Sequence, residues 1–343
     1  MDDLSGASER RLAGNEADDA ARTQIAGARP LDWLAYLRSW AWLVARILIG
    51  YYAILWGTRW ALHHVSLYGV VGWVGGRFGA AYPDTGYPRL PETIVAVVVP
   101  LAIYVVFVLA TERRAPRELG GGWRGLGELG LGGLIGLGLF SAIVGVLALA
   151  GSYHVLGERS WLTVQWSLYA AAAAFREELM FRGVVLRISE ERLGTWIALA
   201  LSALWFGLAH ANNPGATIAD SVMVALFGGL LLGAAYLATR RLWLAIGIHA
   251  LWNFAESGIF GVPVSGFVIP GWLSARLSGP DWLTGGSFGP EGSVVTLGVT
   301  TVAIAALLLI AWRRGHIRPP RLRRAVAARA GTTDTSIFGE GAT

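Results

Sequence analysis

The chain has 343 residues, of which 54% are hydrophobic and only 15% are charged, and its formal net charge is +5. A soluble globular protein of this length needs far more charge to cover its surface, so that class is excluded. The absence of cysteine from the sequence excludes a disulfide framework and a thiolate metal site, and Arg in membrane-flanking loops explains the basic balance better than nucleic-acid binding does.

Apolar runs dominate the chain beyond its N-terminal tail. Residues 1–30 are small and polar with no apolar period, and they are predicted to form a disordered tail. The later runs have about the twenty-residue length that a helix needs to cross a bilayer. They lie at about 40–60, 93–110, 129–150, 161–186, 195–211, 221–238, 242–260 and 293–312. We therefore expect an all-α fold, a polytopic transmembrane bundle of about eight membrane helices with disordered tails.

Three further patterns refine this expectation. The run 129–150 is rich in Gly, which allows the backbone of a neighbouring helix to approach closely. The segment 262–292 is full of Gly, Pro and Ser and is predicted to be a loop. Arg is concentrated in alternate loops and in the tail 313–343. By the positive-inside rule, this distribution predicts a multi-pass cell-membrane protein with both termini in the cytoplasm.

The run 161–186 is interrupted by charged side chains. Glu178 and Arg182 are four residues apart, so they share a helix face in the order that favours an ion pair. Glu177 is rotated by about 100° from Glu178 and has no basic residue three or four positions away. We therefore expect Glu177 to lack a local partner and to be available as a general base. The alternative is that this segment is a surface loop between two short helices.

Two other apolar runs carry polar groups at helical spacing. Phe206 and His210 are four residues apart in one run, and His249 and Asn253 are four apart in another. Phe206 is expected to serve in packing. Either His alone could simply be bonded to a backbone carbonyl, but two His, one Glu and one Asn on three runs suggest a site. Glu256 follows on the face of His249, where it could tune that ring or mark the end of the helix.

The chemistry of these groups fits peptide hydrolysis. That reaction needs an activated water, which Glu177 and His210 can supply, and donors to an oxyanion, which His249 and Asn253 can supply. Glu177, His210 and His249 would also suffice as three ligands of a catalytic zinc ion. No cofactor is required by this pattern, and a divalent metal such as zinc stays an open alternative.

At these residues the chain resembles the CAAX protease and bacteriocin-processing (CPBP, or Abi) family of intramembrane proteases, and is similar to type II CAAX prenyl proteases. The family pattern of Glu-Glu-x-x-x-Arg, Phe-x-x-x-His and His-x-x-x-Asn is complete and in order within about residues 160–260. The resemblance implies that Glu177 is the general base, that His210 shares the water, and that His249 and Asn253 stabilise the oxyanion. Glu178 and Arg182 would then be structural. Within the family, both metal-dependent and glutamate-activated mechanisms have been described for these residues.

The chain is expected to consist of five parts and to have two partners. The expected divisions are the tail 1–30, N-terminal transmembrane helices in 31–160, a catalytic core in 161–260, an external loop with the last membrane helix in 261–312, and an Arg-rich cytoplasmic tail in 313–343. A membrane peptide or protein would be the substrate, and the lipid bilayer the other partner. Two rival interpretations are a proton-coupled transporter, which predicts inverted repeats that the sequence does not display, and a catalytically silent scaffold of the same fold.

Overall fold

The computed structural model of the protein describes residues 33–68 and 90–321. The predicted N-terminal tail and the C-terminal tail beyond residue 321 lie outside the described residues. The chain divides into two compact units, Met1–Ala45 and Arg46–Thr343. In the first unit, residues 33–45 are helical, and the site described below lies wholly in the second.

Helices account for about three quarters of the described residues, and a helix coincides with each predicted membrane run. The α-helices are α1 (Trp33–Tyr68), α2 (Leu90–Phe107), α3 (Trp123–Leu149), α4 (Gln165–Glu178), α5 (Arg187–Leu193), α6 (Thr195–Ala209), α7 (Ile218–Val224), α8 (Leu230–Thr239), α9 (Trp243–Asn253), α10 (Asp281–Thr284) and α11 (Val294–Arg313). This arrangement confirms the predicted all-α, polytopic helix bundle.

Five helical segments of the described chain are long and apolar enough to cross a membrane. They are Tyr36–His64, Leu90–Glu112, Trp123–Leu149, Ile218–Thr239 and Val294–Arg313. The remaining predicted runs do not meet that standard. Helix α6 is apolar but shorter, the helix that contains Glu177 carries several charges, and α9 is short. Because charged or short helices can be accommodated inside a bundle of longer ones, these segments are the expected place for a polar site.

Wide π-helical turns continue several of the α-helices, a feature that the apolar pattern does not predict. In the described chain they are Val108–Glu112, Leu179–Leu186, Ala225–Gly229 and Phe254–Ile259. Such turns are rare and occur frequently at functional sites, because they shift the direction in which later side chains point. The second begins directly after Glu178, and the fourth directly after Asn253.

Helices α3 and α9 pack at very short range through glycine. A Cβ atom on Gly136 would lie 2.1 Å from the carbonyl oxygen of Ile248, and one on Gly247 would lie 2.2 Å from that of Leu129. The glycine-rich third run therefore allows the close helix approach predicted from its composition. This contact fixes the position of α9, the helix that carries His249.

The segments predicted as loops contain a small antiparallel sheet. Strand β1 (Tyr153–Glu158) pairs with β2 (Leu273–Leu277), with an irregularity between Val155 and Gly157. The prediction of a loop throughout 262–292 was therefore wrong in part. The part of 262–292 before β2 is also held by a hydrogen bond, which Asn213 donates from its side-chain amide to the carbonyl of Ser265 at 3.0 Å. This bond anchors the segment beside the end of α6, where His210 lies.

Candidate active site

The pair predicted from its spacing, Glu178 and Arg182, forms a salt bridge of 2.9 Å between two side chains that are 0% exposed. Arg182 also donates to the carbonyl oxygens of Gly228 at 3.0 Å and Gly229 at 3.1 Å, which the π-turn after α7 presents. Its guanidinium lies 4.5 Å from the ring centre of Phe206. The charge is thus distributed over a carboxylate, two peptide dipoles and an aromatic face, which is how a fully buried Arg is tolerated.

His249 connects this pair to Glu177. Its Nδ1 lies 2.9 Å from Oε1 of Glu178, and its Nε2 lies 3.8 Å from Oε2 of Glu177. The first distance is a hydrogen bond and the second is too long to be one. Since Glu178 is a carboxylate paired with Arg182, the ring donates its Nδ1–H, and this contact fixes which nitrogen faces Glu177.

Glu177 has a local partner, contrary to the sequence prediction. Nη2 of Arg176 lies 2.9 Å from Oε1 of Glu177, and 16% of the Glu177 side chain is exposed. The spacing rule missed this pair because adjacent residues on a helix do not normally face each other. Arg176 occupies one carboxylate oxygen and leaves Oε2 directed toward His249. A carboxylate held in this way keeps one oxygen that can accept a proton.

His210 ends helix α6, and its ring is partly buried. Its Nδ1 lies 2.7 Å from the backbone carbonyl oxygen of Phe206, one helical turn earlier. This is the carbonyl contact expected of a structural His, but here it also has a chemical consequence. Because Nδ1 must donate to the carbonyl, the neutral ring has a bare Nε2 that can accept a proton from water. His210 also lies within electrostatic range of Glu177.

Asn253 lies one turn after His249 on the same helix, and it is 7% exposed. Its amide donates one hydrogen to the carbonyl oxygen of Ala170 at 3.2 Å, which ties α9 to α4. The amide nitrogen carries two hydrogens, so a second one is available to another acceptor. Phe206, predicted to serve in packing, contacts both imidazoles, with ring-centre separations of 4.7 Å to His210 and 5.9 Å to His249.

A cavity of about 350 Å³, counting the open space at its mouth, lies beside His210 and His249, whereas Glu177 and Asn253 are not part of its wall. His210 and His249 lie on its wall together with Ser265 and Glu291, which the sequence analysis did not single out. The apolar part of the wall consists of Phe206, Val224, Phe227, Gly228, Leu231, Leu232, Ile248 and Trp252. The signal that could have identified Glu291 is its position, since it is an acid placed directly before the last apolar run.

The described residues do not fit a metal centre. Among them there is no group of three or more His, Asp or Glu side chains arranged to hold a metal ion. Nδ1 of His249 is bonded to Glu178, and Nδ1 of His210 faces the carbonyl of Phe206, so Nε2 is the free nitrogen of each ring.

Comparison with known proteins agrees with the motifs. Residues 159–255 match the family model described as Type II CAAX prenyl endopeptidase Rce1-like. No curated protein and no solved structure matches the chain. The matched segment includes every residue from Glu177 to Asn253 discussed above, and it confirms the resemblance inferred from the sequence. Glu256 and Glu291 lie beyond it.

Proposed function

Proceeding from the similarity of residues 159–255 to type II CAAX prenyl endopeptidases, we propose that this membrane protein is an intramembrane endopeptidase that uses a glutamate-activated water. The observation that carries the proposal is the position of His249, which is bonded to Glu178 through one nitrogen and faces Glu177 with the other. The same ring lines a cavity that also contains His210. Acceptors for a proton from water and a donor for an oxyanion are thus close together.

The first step is activation of water by Glu177 and His210. A water beside Oε2 of Glu177 can donate one hydrogen to that oxygen and the other to Nε2 of His210. As its oxygen bonds to the substrate carbonyl carbon, the proton passes to Glu177. When the C–N bond breaks, Glu177 returns this proton to the leaving amine, so the two products are a carboxylic acid and an amine. Arg176 holds the carboxylate in place through its other oxygen.

The second requirement is stabilisation of the negative oxygen that forms on the carbonyl. His249 donates Nδ1–H to Glu178, so it can donate from Nε2 only as an imidazolium ion. Glu178 and Glu177 flank the ring and favour that charge. The second amide hydrogen of Asn253 is the other candidate donor. Preorganised donors of this kind are each worth roughly 100-fold or more in turnover.

The substrate we propose is a peptide or protein held in the membrane of the cell. The cavity wall is largely apolar, which suits an apolar side chain or a lipid-modified residue next to the bond that is cut. The family description names CAAX prenyl endopeptidases, and a prenylated peptide is therefore one class to be tried. The proposed topology places both chain termini in the cytoplasm.

Proteolysis by the purified protein in detergent tests this function. A library of prenylated and unprenylated peptides would be incubated with the parent protein, and products identified by mass spectrometry. Glu177→Gln keeps an acceptor for Arg176 but loses the base, so kcat should fall by about 100-fold or more. Glu158→Gln, an exposed position on β1, is the matched control and should retain parent activity. Failure of the parent to cut any peptide, or equal activity of Glu177→Gln, would overturn the proposal.

A further inference from the structure

A second carboxylate, Glu291, lies on the wall of the cavity that contains both imidazoles. It belongs to the short 3-10 turn Pro290–Gly292 directly before α11, and it is 5% exposed. Trp252 donates its indole N–H to Oε1 at 3.1 Å, and Ser265 donates its hydroxyl to Oε2. Each oxygen therefore has a donor, which is the arrangement that stabilises the ionised form of a carboxyl group.

A third acid stands behind Glu291. Glu256 is 0% exposed and lies against Glu291 and Trp252, and neither of its carboxyl oxygens has a partner at normal hydrogen-bond geometry in the described chain. Two carboxylates in contact within an apolar environment do not both stay ionised. Because both oxygens of Glu291 have donors at hydrogen-bond distance and those of Glu256 do not, Glu291 is the better placed of the two to carry a negative charge.

This negative charge has no counter-ion among the described residues, where neither Glu256 nor Glu291 forms a salt bridge. The other ionisable side chains on the cavity wall are His210 and His249. His249 is paired with Glu178, and His210 faces the carbonyl of Phe206. A buried charge without a partner is costly, and an incoming cation would offset that cost.

We propose that Glu291 determines substrate specificity by binding a cationic group of the substrate, a primary amine or a guanidinium, in the cavity beside His210 and His249. The inference rests on the proposed protease function. A charge-assisted contact in an apolar cavity is stronger than one in water, and the apolar walls would hold the aliphatic part of a Lys or Arg side chain. Glu291 lies outside the segment that matches the family model.

Binding is the measurement that tests Glu291 without depending on turnover. The Glu177→Gln protein in detergent micelles would be titrated with an apolar peptide in which one Lys is scanned through every position, and with the same peptides carrying norleucine instead. We expect at least one Lys peptide to bind about tenfold more tightly than its norleucine partner. Adding Glu291→Gln, which keeps an acceptor for Trp252, should remove this preference. Glu291→Asp should retain part of it.

Adding Glu158→Gln, the exposed control, should leave the preference unchanged. Equal binding of Lys and norleucine peptides, a preference that survives Glu291→Gln, or no peptide binding at all would overturn the role of Glu291. A preference for Lys that depends on Glu291, combined with no cleavage of the same peptides by the parent protein, would instead count against the protease function and leave the cation site standing.

Discussion

Nδ1 of His249 lies 2.9 Å from Oε1 of Glu178, and Nη1 of Arg182 lies 2.9 Å from the same oxygen. One carboxylate oxygen therefore receives both a cation and an imidazole N–H. The contact with Arg182 neutralises a fully buried charge, and the contact with His249 orients a ring that lines the cavity. Glu178 is thus a positioning residue that acts on Glu177 and the substrate through His249, and its removal should affect turnover and stability together.

Glu178→Gln should lower kcat by about tenfold or more and change KM little, because the ring loses its orientation and the charge that favours the imidazolium ion. The variant also leaves Arg182 without its carboxylate, so its Tm should fall. Kinetics on a cleaved peptide and thermal unfolding in the same detergent would check both effects. Glu177→Gln offers the contrast, since it should abolish turnover with a much smaller change in Tm. Parent kcat in Glu178→Gln would contradict the positioning role.

Replacing Arg182 with Lys should destabilise the protein even though the charge is kept. The guanidinium serves Glu178 and the carbonyls of Gly228 and Gly229 at once, and it stacks on Phe206. An ammonium group cannot reproduce that planar fork. Each buried acceptor left without its donor costs about 1–3 kcal/mol, so a large fall in Tm is expected. Arg276→Lys, at an exposed position on β2, is the control and should leave Tm unchanged; a similar Tm for both variants would refute the argument.

Two glycine substitutions in α3 should show whether the close contact with α9, and not the glycine content of α3 alone, positions the site. Gly136→Ala puts a methyl group 2.1 Å from the carbonyl oxygen of Ile248, so α9 must move and His249 with it. We expect lower Tm and reduced kcat. Gly138, two residues along the same helix, has no atom within 4 Å of a built Cβ, and Gly138→Ala should be neutral or slightly stabilising because Ala favours the helix. Equal behaviour of the two variants would mean that the close contact does not position the site.

Helical spacing predicted those parts of the site that depend on one helix face. The Glu178–Arg182 pair follows from a separation of four residues, and the placement of His249 and Asn253 on one face follows in the same way. The Arg176–Glu177 pair could not be predicted, because contact between adjacent side chains depends on their rotamers. Spacing also did not reveal that π-turns follow Glu178 and Asn253.

Contacts between segments that are distant in the chain could not be predicted from the sequence. Glu291 meets Trp252 and Ser265 across long stretches of chain, and no local pattern encodes that meeting. The small sheet of β1 and β2 was missed for the same reason, since its strands are far apart and lie in segments rich in loop-forming residues. Length and apolarity, by contrast, are local properties, and they were sufficient to locate the helices.

Glu118, which lies between α2 and α3 outside the membrane-spanning segments, should make stability depend on pH. Glu118 is 4% exposed and accepts hydrogen bonds from Arg114 at 2.8 Å and from the hydroxyl of Tyr104. Burial raises the pKa of Glu118, but the bonds and charges of Arg114, Arg187 and Tyr104 outweigh burial and bring the pKa below its ordinary value.

A carboxyl with a lowered folded-state pKa stabilises the folded protein at pH values above its unfolded-state pKa, and this contribution is lost as pH falls through the folded-state value. Glu118→Gln should therefore lower Tm at pH 7, and the difference in Tm from the parent protein should shrink as pH is lowered below about 4, where unfolded-state Glu becomes protonated. Thermal unfolding of both proteins across that range measures the difference directly and cancels the titration of all other carboxyls. A difference that stays constant with pH would show that the charge of Glu118 contributes nothing and that only its shape matters.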